Sequence, residues 1–215
     1  MNVRKRSSAP SEFEIIILAG GSSKRFPGIF KPLLELGGKP LIGWILDNLS
    51  DLSKRMTIVV HDHLQRDLIS SRVMEARILV DEYRISAPMI GALTGARAAR
   101  APMIFLMAAD QPFLGAEVVL KLVDGCREFD ACAPRWPNGY LEPLAAAYRR
   151  DALIRAAQRA LRKCDLSFNS ILSILKTKFM DVHDLHPNPE FAFHNINSLK
   201  DYLRADKLLR SRVEV

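Results

Sequence analysis

In "IIILAGGSSKRFPGIFKPLLEL", residues 15–36, an apolar strand-like run meets Gly20 and Gly21, and Lys24, Arg25 and Lys31 follow soon after. Paired glycines at a strand end let the backbone take positive φ and bring N–H groups close to a ligand. With the cations added, the stretch suits a polyphosphate. The spacing is not that of a Walker A loop, which needs Gly-Lys-Ser/Thr after four spacers, nor of Gly-x-Gly-x-x-Gly, because the next glycine is Gly28. On these residues alone, an ordinary turn carrying surface cations is the competing reading. Asp110, in "MAADQPFL", follows a second apolar run and precedes Pro112, which stops strand pairing and exposes the carboxylate at the sheet edge. A hard oxygen there suits Mg²⁺ carried in by a triphosphate; the bland alternative is a turn former or a cap for "GAEVVLKLV".

Other polar residues carry weaker signals. Asp81 ends the run "RILV", as a base contact or a plain strand-end acid. His61, Asp62 and His63 cluster without the carboxylate or cysteine pattern of a metal site, so a polar loop near a base is expected. Asn195 and Asn197 precede the last helical segment, where an asparagine turn capping that helix is an equal reading. Glu142, in "YLEPL", faces an acceptor or pairs with an arginine. Trp44 reads as core, and Trp136 with Pro134, Pro137 and Gly139 as an acceptor-side loop or a packed turn.

Something must position these residues. "FEIIIL", "MTIVV", "ARILV" and "MIFLM" have the pattern of parallel strands buried on both faces. Between them, "PLIGWILDNLSDL" has apolar residues at three- and four-residue spacing with Pro40 at the first helical position. "PMIGALTGARAAR" is a helix weakened by Gly91 and Gly95, whose spacing implies close packing. Later, "DACAP", "PLAAAY" and "KFMDV" read as strands. "RRDALIRAAQRALRK", "SFNSILSIL" and "SLKDYLRADKLLRS" read as helices, and "DLHPNPEFAFHNIN" as loop. This order predicts an α/β, doubly wound, mostly parallel sheet with ligands at the carboxyl ends of its strands.

Composition bounds the rest. The 215 residues are 48% hydrophobic, enough to bury a proper core. "MNVRKRSSAPSE" reads as a basic flexible tail over 1–12, followed by one domain over 13–215. The net charge of +7 is spread along the chain without interleaved aromatics, which argues against nucleic acid and suits a small anionic substrate. No run approaches the length of a membrane helix. Cys126, Cys132 and Cys164 lack zinc-site pairing and suit a cytoplasmic, reducing compartment.

The opening stretch resembles the Leu-Ala-Gly-Gly-x-Ser-x-Arg-Met-Gly and Lys-Pro-Leu signature of the nucleotidyltransferases related to molybdenum cofactor guanylyltransferase. In that family's order, "IGALTGARAA" resembles its Gly-Pro-Leu-Ala-Gly helix start, "MAADQPFL" its Cys-Asp-x-Pro-Phe turn, "YLEPLAAAYRRDAL" its Glu-Pro-Leu segment and "FHNINSLKDYL" its Asn-x-Asn ending. The resemblance implies a three-layer α/β/α Rossmann-like fold and Mg²⁺-dependent transfer of GMP from GTP to a phosphorylated acceptor, molybdopterin first. It implies nucleotide contacts from Leu18, Ala19, Gly20, Gly21, Lys31, His61, Asp81 and Asp110, catalytic charge from Arg25 and Lys31, and metal held by Asp110 with Asn197. Departures are Arg25-Phe26-Pro27 with Gly28 displaced, Ala92 where the Gly-Pro-Leu-Ala-Gly element has its proline, His61 in place of an asparagine, and Ser198-Leu199-Lys200. Alternatives are a cytidylyltransferase or a cobinamide-phosphate guanylyltransferase of the same fold, or a nucleotide-binding module without catalysis.

Overall fold

A computed structural model describes residues 13–21, 28–52, 55–74, 76–82 and 87–213. The expected tail over 1–12, and Lys24 and Arg25, lie outside the described residues.

The chain opens with β1 (Phe13–Leu18), buried throughout. A 3₁₀ turn at Lys31–Leu33 leads to β2 (Glu35–Leu36) and β3 (Lys39–Pro40), a hairpin that the sequence reading did not anticipate. Gly37 and Gly38 sit at φ +58° and +78°, the left-handed pair that a two-residue hairpin turn demands. Then come α1 (Leu41–Leu49), β4 (Met56–Val60), α2 (His63–Ser70), β5 (Arg77–Val80), α3 (Pro88–Ala98) and β6 (Met103–Ala108). Pro40 precedes α1 as its cap residue and is not its first helical residue. His63 opens α2, and Asp62 Oδ1 caps it by accepting from Gln65 N at 2.8 Å, so the expected polar loop is only two residues long.

The second half runs through α4 (Ala116–Gly125), β7 (Ala131–Arg135), β8 (Ala145–Arg149), α5 (Arg150–Arg162), α6 (Phe168–Ile174), β9 (Thr177–Asp181), α7 (Val182–Leu185), α8 (Pro189–Ala192) and α9 (Leu199–Val213). The segment read as loop thus holds the end of α7 and all of α8. Pro189 starts α8 rather than breaking it, because a first-turn residue needs no N–H, and Asn188 Oδ1 accepts from Phe191 N at 3.2 Å.

The seven-stranded sheet has the order β5-β4-β1-β6-β8-β7-β9. β1 pairs in parallel with β4 and β6, whereas β8 runs antiparallel to both its neighbours. The two faces of β1 feed two cores. Ile15 and Ile17 pack with α1, α2, α4 and α7, while Ile16 and Leu18 pack with α3, α5 and α6. The result is the three-layer α/β/α arrangement. A third cluster, including Leu36, Phe113, Phe191 and Ala205, seats α9 on the small hairpin. Close packing at α3 is as expected: a Cβ on Gly95 would stand 2.6 Å from Ile16 Cγ2. Among the described residues no helix is long and apolar enough to cross a membrane.

Candidate functional site

The connections β1-β4-β5 step outward on one side of β1, and the chain then returns past β4 and β1 to place β6 on the other side. The loops after β1 and β6 lead to α1 and α4 on one face, and the loop after β5 leads to α3 on the other, which opens a crevice at the carboxyl ends of the strands. A cleft of ≈ 560 Å³ occupies this place, lined by Leu18, Ala19, Gly20 and Gly21 after β1, Asp81 after β5, Pro88 and Gly91 of α3, Lys31, and Asp110 after β6. The strand-end residues expected from sequence are all here except His61, which does not line the cleft.

Gly20 is required by a neighbour: a Cβ there would lie 2.9 Å from the backbone nitrogen of His61, at the end of the adjoining strand. Gly21 is required by conformation, at φ +125°.

Lys31 joins residues remote in sequence. Its Nζ donates to Asp110 Oδ2 and to Asn197 Oδ1, both at 2.7 Å. The backbone secures this cluster, because Ile196 N–H donates to the Asp110 carbonyl at 2.9 Å and pins the stretch around Asn197 onto the end of β6. Asp110 caps no helix, since Gly115 precedes α4. Asn195 and Asn197 part company. Asn197 meets Lys31, whereas Asn195 donates to the Phe193 carbonyl at 3.2 Å and lines a second cavity. The cap of α9 is Ser198 with Asp201, at 2.8 Å between Oγ and Oδ2.

Asp81 lies three strand spacings from the end of β6, about 14 Å across the sheet. Its Oδ1 is buried without a hydrogen-bond partner, and a Cβ on Gly91 would stand 3.4 Å from it, so the glycine leaves the carboxylate room. His61 Nδ1 is 3.7 Å from Asp81 Oδ2, close enough to attract but too long for a hydrogen bond. Burial pushes the Asp81 carboxyl up to about 6, with His61 pulling it partly back. An under-partnered carboxylate of this kind is ready to accept N–H donors from a ligand.

A second cavity, ≈ 280 Å³, is reached through neighbouring chain: Asn195 lines it two residues before Asn197, which meets Lys31, and Gln111, next to Asp110, contacts its Glu142. Glu142 and Trp136 line it, and Trp136 Nε1 donates to Glu142 Oε1 at 3.0 Å. Trp136 is therefore a packed turn residue that also faces a cavity. Gln111, only 1% exposed, places Nε2 3.5 Å from Glu142 Oε2, while its own Oε1 is unpartnered. The sequence reading passed over Gln111, although "DQPF" contained it.

Among the described residues no group of three or more His, Cys, Asp and Glu converges as a metal site. The donor set nevertheless fits a hard cation that arrives with its own oxygen ligands. Asp110 Oδ1 is an orphaned buried oxygen, and Asp110 Oδ2 and Asn197 Oδ1 already converge on the Lys31 ammonium.

The profile of the family described as MobA-like NTP transferase domain matches residues 15–176. The chain belongs to this family. A probable molybdenum cofactor guanylyltransferase of Pyrococcus furiosus is 35% identical over 190 residues, spanning 86% of this chain and 92% of its own. Among solved structures, molybdopterin-guanine dinucleotide biosynthesis protein A from Archaeoglobus fulgidus matches with a TM-score of 0.80 at 27% identity, covering 92% of this chain and 99% of that one. The 2-C-methyl-D-erythritol 4-phosphate cytidylyltransferase of Thermus thermophilus, with a TM-score of 0.69, 16% identity and coverage of 92% and 98%, shares the fold alone. In this MobA-like chain, Lys31, Asp81, Asp110 and Glu142 fall inside the span matched by the family, and Asn195 and Asn197 fall beyond it.

Proposed function

We propose that the protein transfers GMP from GTP to a phosphorylated acceptor, most specifically molybdopterin, with release of pyrophosphate. The observation that carries this reading is the pairing of two differently equipped ends in one cleft. Lys31, Asp110 and Asn197 meet at the β6 end, and an unpartnered Asp81 carboxylate waits at the β5 end. The first suits phosphates and a cation, and at the second it is Oδ1 that lacks a partner while Oδ2 faces His61 at 3.7 Å. The second suits guanine, whose N1–H and 2-amino group can both donate to one carboxylate, a match that adenine and cytosine lack. The name of the Pyrococcus furiosus relative supports the same nucleotide and acceptor.

No covalent nucleophile is needed for this reaction. A phosphate oxygen of the acceptor attacks the α-phosphorus in line as pyrophosphate leaves, so the protein's task is placement and charge neutralisation. Leu18 to Gly21 lay backbone along the nucleotide. Lys31, on a flexible four-carbon stem, exchanges Asp110 for phosphate oxygens, and Arg25, outside the described residues, is assigned by resemblance to the same charge. Asp110 and Asn197 would hold Mg²⁺, which supplies Lewis-acid polarisation of the phosphates. We assign the protein to the cytoplasm, in keeping with three unpaired cysteines.

The test is a panel of GTP, CTP and ATP with Mg²⁺, crossed with molybdopterin and cobinamide phosphate, read as pyrophosphate release. GTP with molybdopterin should be the productive pair. Preference for CTP would move the chain to cytidylyl transfer, and binding without release in any pairing would make it a nucleotide-binding module.

A further inference from the structure

The resemblance places His61 at the nucleotide, yet it does not line the cleft, and its ring is turned on a residue that does. β4 and β5 pair in parallel with Val60 opposite Val80, so His61 and Asp81 leave their strands side by side. Asp81 N–H donates to the Val60 carbonyl at 2.8 Å, which carries the register one residue past the strand end. His61 has little freedom to leave. Its N–H donates to Gln65 Oε1 at 2.9 Å in the first turn of α2, and a Cβ on Gly20 would stand only 2.9 Å from the same nitrogen.

His61 Nδ1 and Asp81 Oδ1 are both buried without hydrogen-bond partners, and His61 Nδ1 stands 3.7 Å from Asp81 Oδ2. The Asp81 side chain is 7% exposed and that of His61 27%, so the acid is sealed from water while the imidazole keeps a route to solvent protons. Other charges around the pair are engaged elsewhere or turned outward. On the α2 side, Asp62 caps the helix through Gln65 N–H, and His63 is exposed at the first helical position. On the α3 side, Arg97 pairs with Glu82, and Gly91 and Thr94 bring no charge. Among the described residues, His61 is the basic group that faces Asp81. A charge at that distance acts strongly where water is excluded.

We propose that His61 is a positioning residue for base selection: from behind the cleft wall it keeps Asp81 ionised, so that the carboxylate accepts both the N1–H and the 2-amino group of guanine. This rests on the GTP reading above and adds to it a residue that acts on the base only through another. The asparagine that the resembled transferases carry at this place has no charge to lend. A neutral Asp81 would turn an acceptor oxygen into a donor, which opposes a guanine N–H. Selection of guanine should therefore fail in acid, and fail sooner without His61.

The probes are GTP and ITP, which lacks only the 2-amino group, each titrated with Mg²⁺ into the full chain by calorimetry between pH 5 and pH 8. The triphosphate also ionises in this range, but alike in both, so it cancels from the ratio of their affinities. Wild type at pH 8 should bind GTP about tenfold more tightly than ITP, the worth of a hydrogen bond to a charged group. The ratio should fall toward parity as pH drops through about 6, where the buried Asp81 takes up its proton. In His61→Ala the midpoint of that fall should move up by about one pH unit, because desolvation of the acid is then unopposed. Its ratio at pH 8 should stay near the wild-type value, which reports a folded site whose charge, not shape, was changed. Asp81→Asn should sit near parity at every pH.

A ratio that does not vary with pH, or a midpoint that His61→Ala leaves in place, overturns the role given to His61. So does a His61→Ala chain that cannot tell the two nucleotides apart even at pH 8, since His61 would then be part of the base site itself. If wild type prefers GTP to CTP yet binds ITP as tightly as GTP, Asp81 does not read the 2-amino group, and this proposal falls while GMP transfer stands. If wild type shows no preference for GTP over CTP at any pH, the GTP reading falls and takes this proposal with it.

Discussion

Replacing Glu142 by glutamine should stabilise the folded protein, and the gain should grow with pH. The carboxyl is 6% exposed and is pushed from its ordinary 4.5 to about 7, chiefly by loss of solvation, with the Trp136 indole pulling it down and the Asp110 charge pushing it further up. Between those two values the folded chain keeps a proton that the unfolded chain has released. The folded state then binds more protons, so unfolding free energy falls as pH rises through this window and stays reduced above it. At about 1.4 kcal/mol per tenfold difference, the rise from 4.5 to about 7 costs the wild type on the order of 3 kcal/mol at pH 8, and under about 1 kcal/mol at pH 5. Glutamine has nearly the same volume, can still accept from Trp136, and carries no charge to desolvate. Urea denaturation of both proteins at pH 5 and pH 8 reads the difference directly. A variant advantage that is flat with pH, or a variant less stable than wild type at pH 8, would show that Glu142 is not a desolvated acid.

Lys31→Ala should lower kcat by about 10²-fold while nucleotide affinity falls less, since the ammonium matters most where charge develops on the phosphates; equal losses in kinetic and equilibrium constants would make Lys31 a ground-state contact only. Asp110→Asn keeps the side chain's shape, so the circular dichroism spectrum should be unchanged while Mg²⁺-dependent turnover collapses, and wild-type turnover at limiting Mg²⁺ would refute the assigned role. Gly95→Ala should cost about 1–3 kcal/mol by thermal melting, because the new Cβ would overlap Ile16 Cγ2 at 2.6 Å and this outweighs the roughly 1 kcal/mol gain in helix propensity; an unchanged melting temperature would mean that α3 can shift away from β1 freely.

Local signals were read well because their physics is local. The runs "FEIIIL", "MTIVV" and "MIFLM" are β1, β4 and β6, since a strand covered on both faces reads as a near-continuous apolar run, interrupted here only by Glu14 and Thr57. Gly91 and Gly95 do mark the close approach of α3 to β1 and β4. The motif around Gly20, Gly21 and Lys31, and the strand-end Asp81 and Asp110, all reached the cleft. Where the reading fell short, a short-range cue competed with another. Pro187 and Pro189 argued for loop, yet Pro189 with the Asn188 cap opens a helix, and Gly37-Gly38 between short flanks concealed a hairpin.

The sequence by itself therefore determined the alternation of strands and helices, the turn that carries Gly20 and Gly21, and the acids placed at strand ends. Only the tertiary structure decided which of these meet. Lys31 bonds to Asp110 and to Asn197 across 79 and 166 residues, and nothing near any of the three encodes that contact. It follows from the strand order, which sets β6 beside β1, and from the Ile196 bond that draws the final loop onto β6. The antiparallel β8 and the hairpin before it likewise bring Glu142 under Trp136 and against Gln111. Periodicity reports which face of an element is buried. It does not report against which partner, because strand pairing is settled by burial and hydrogen bonding between segments far apart in the chain.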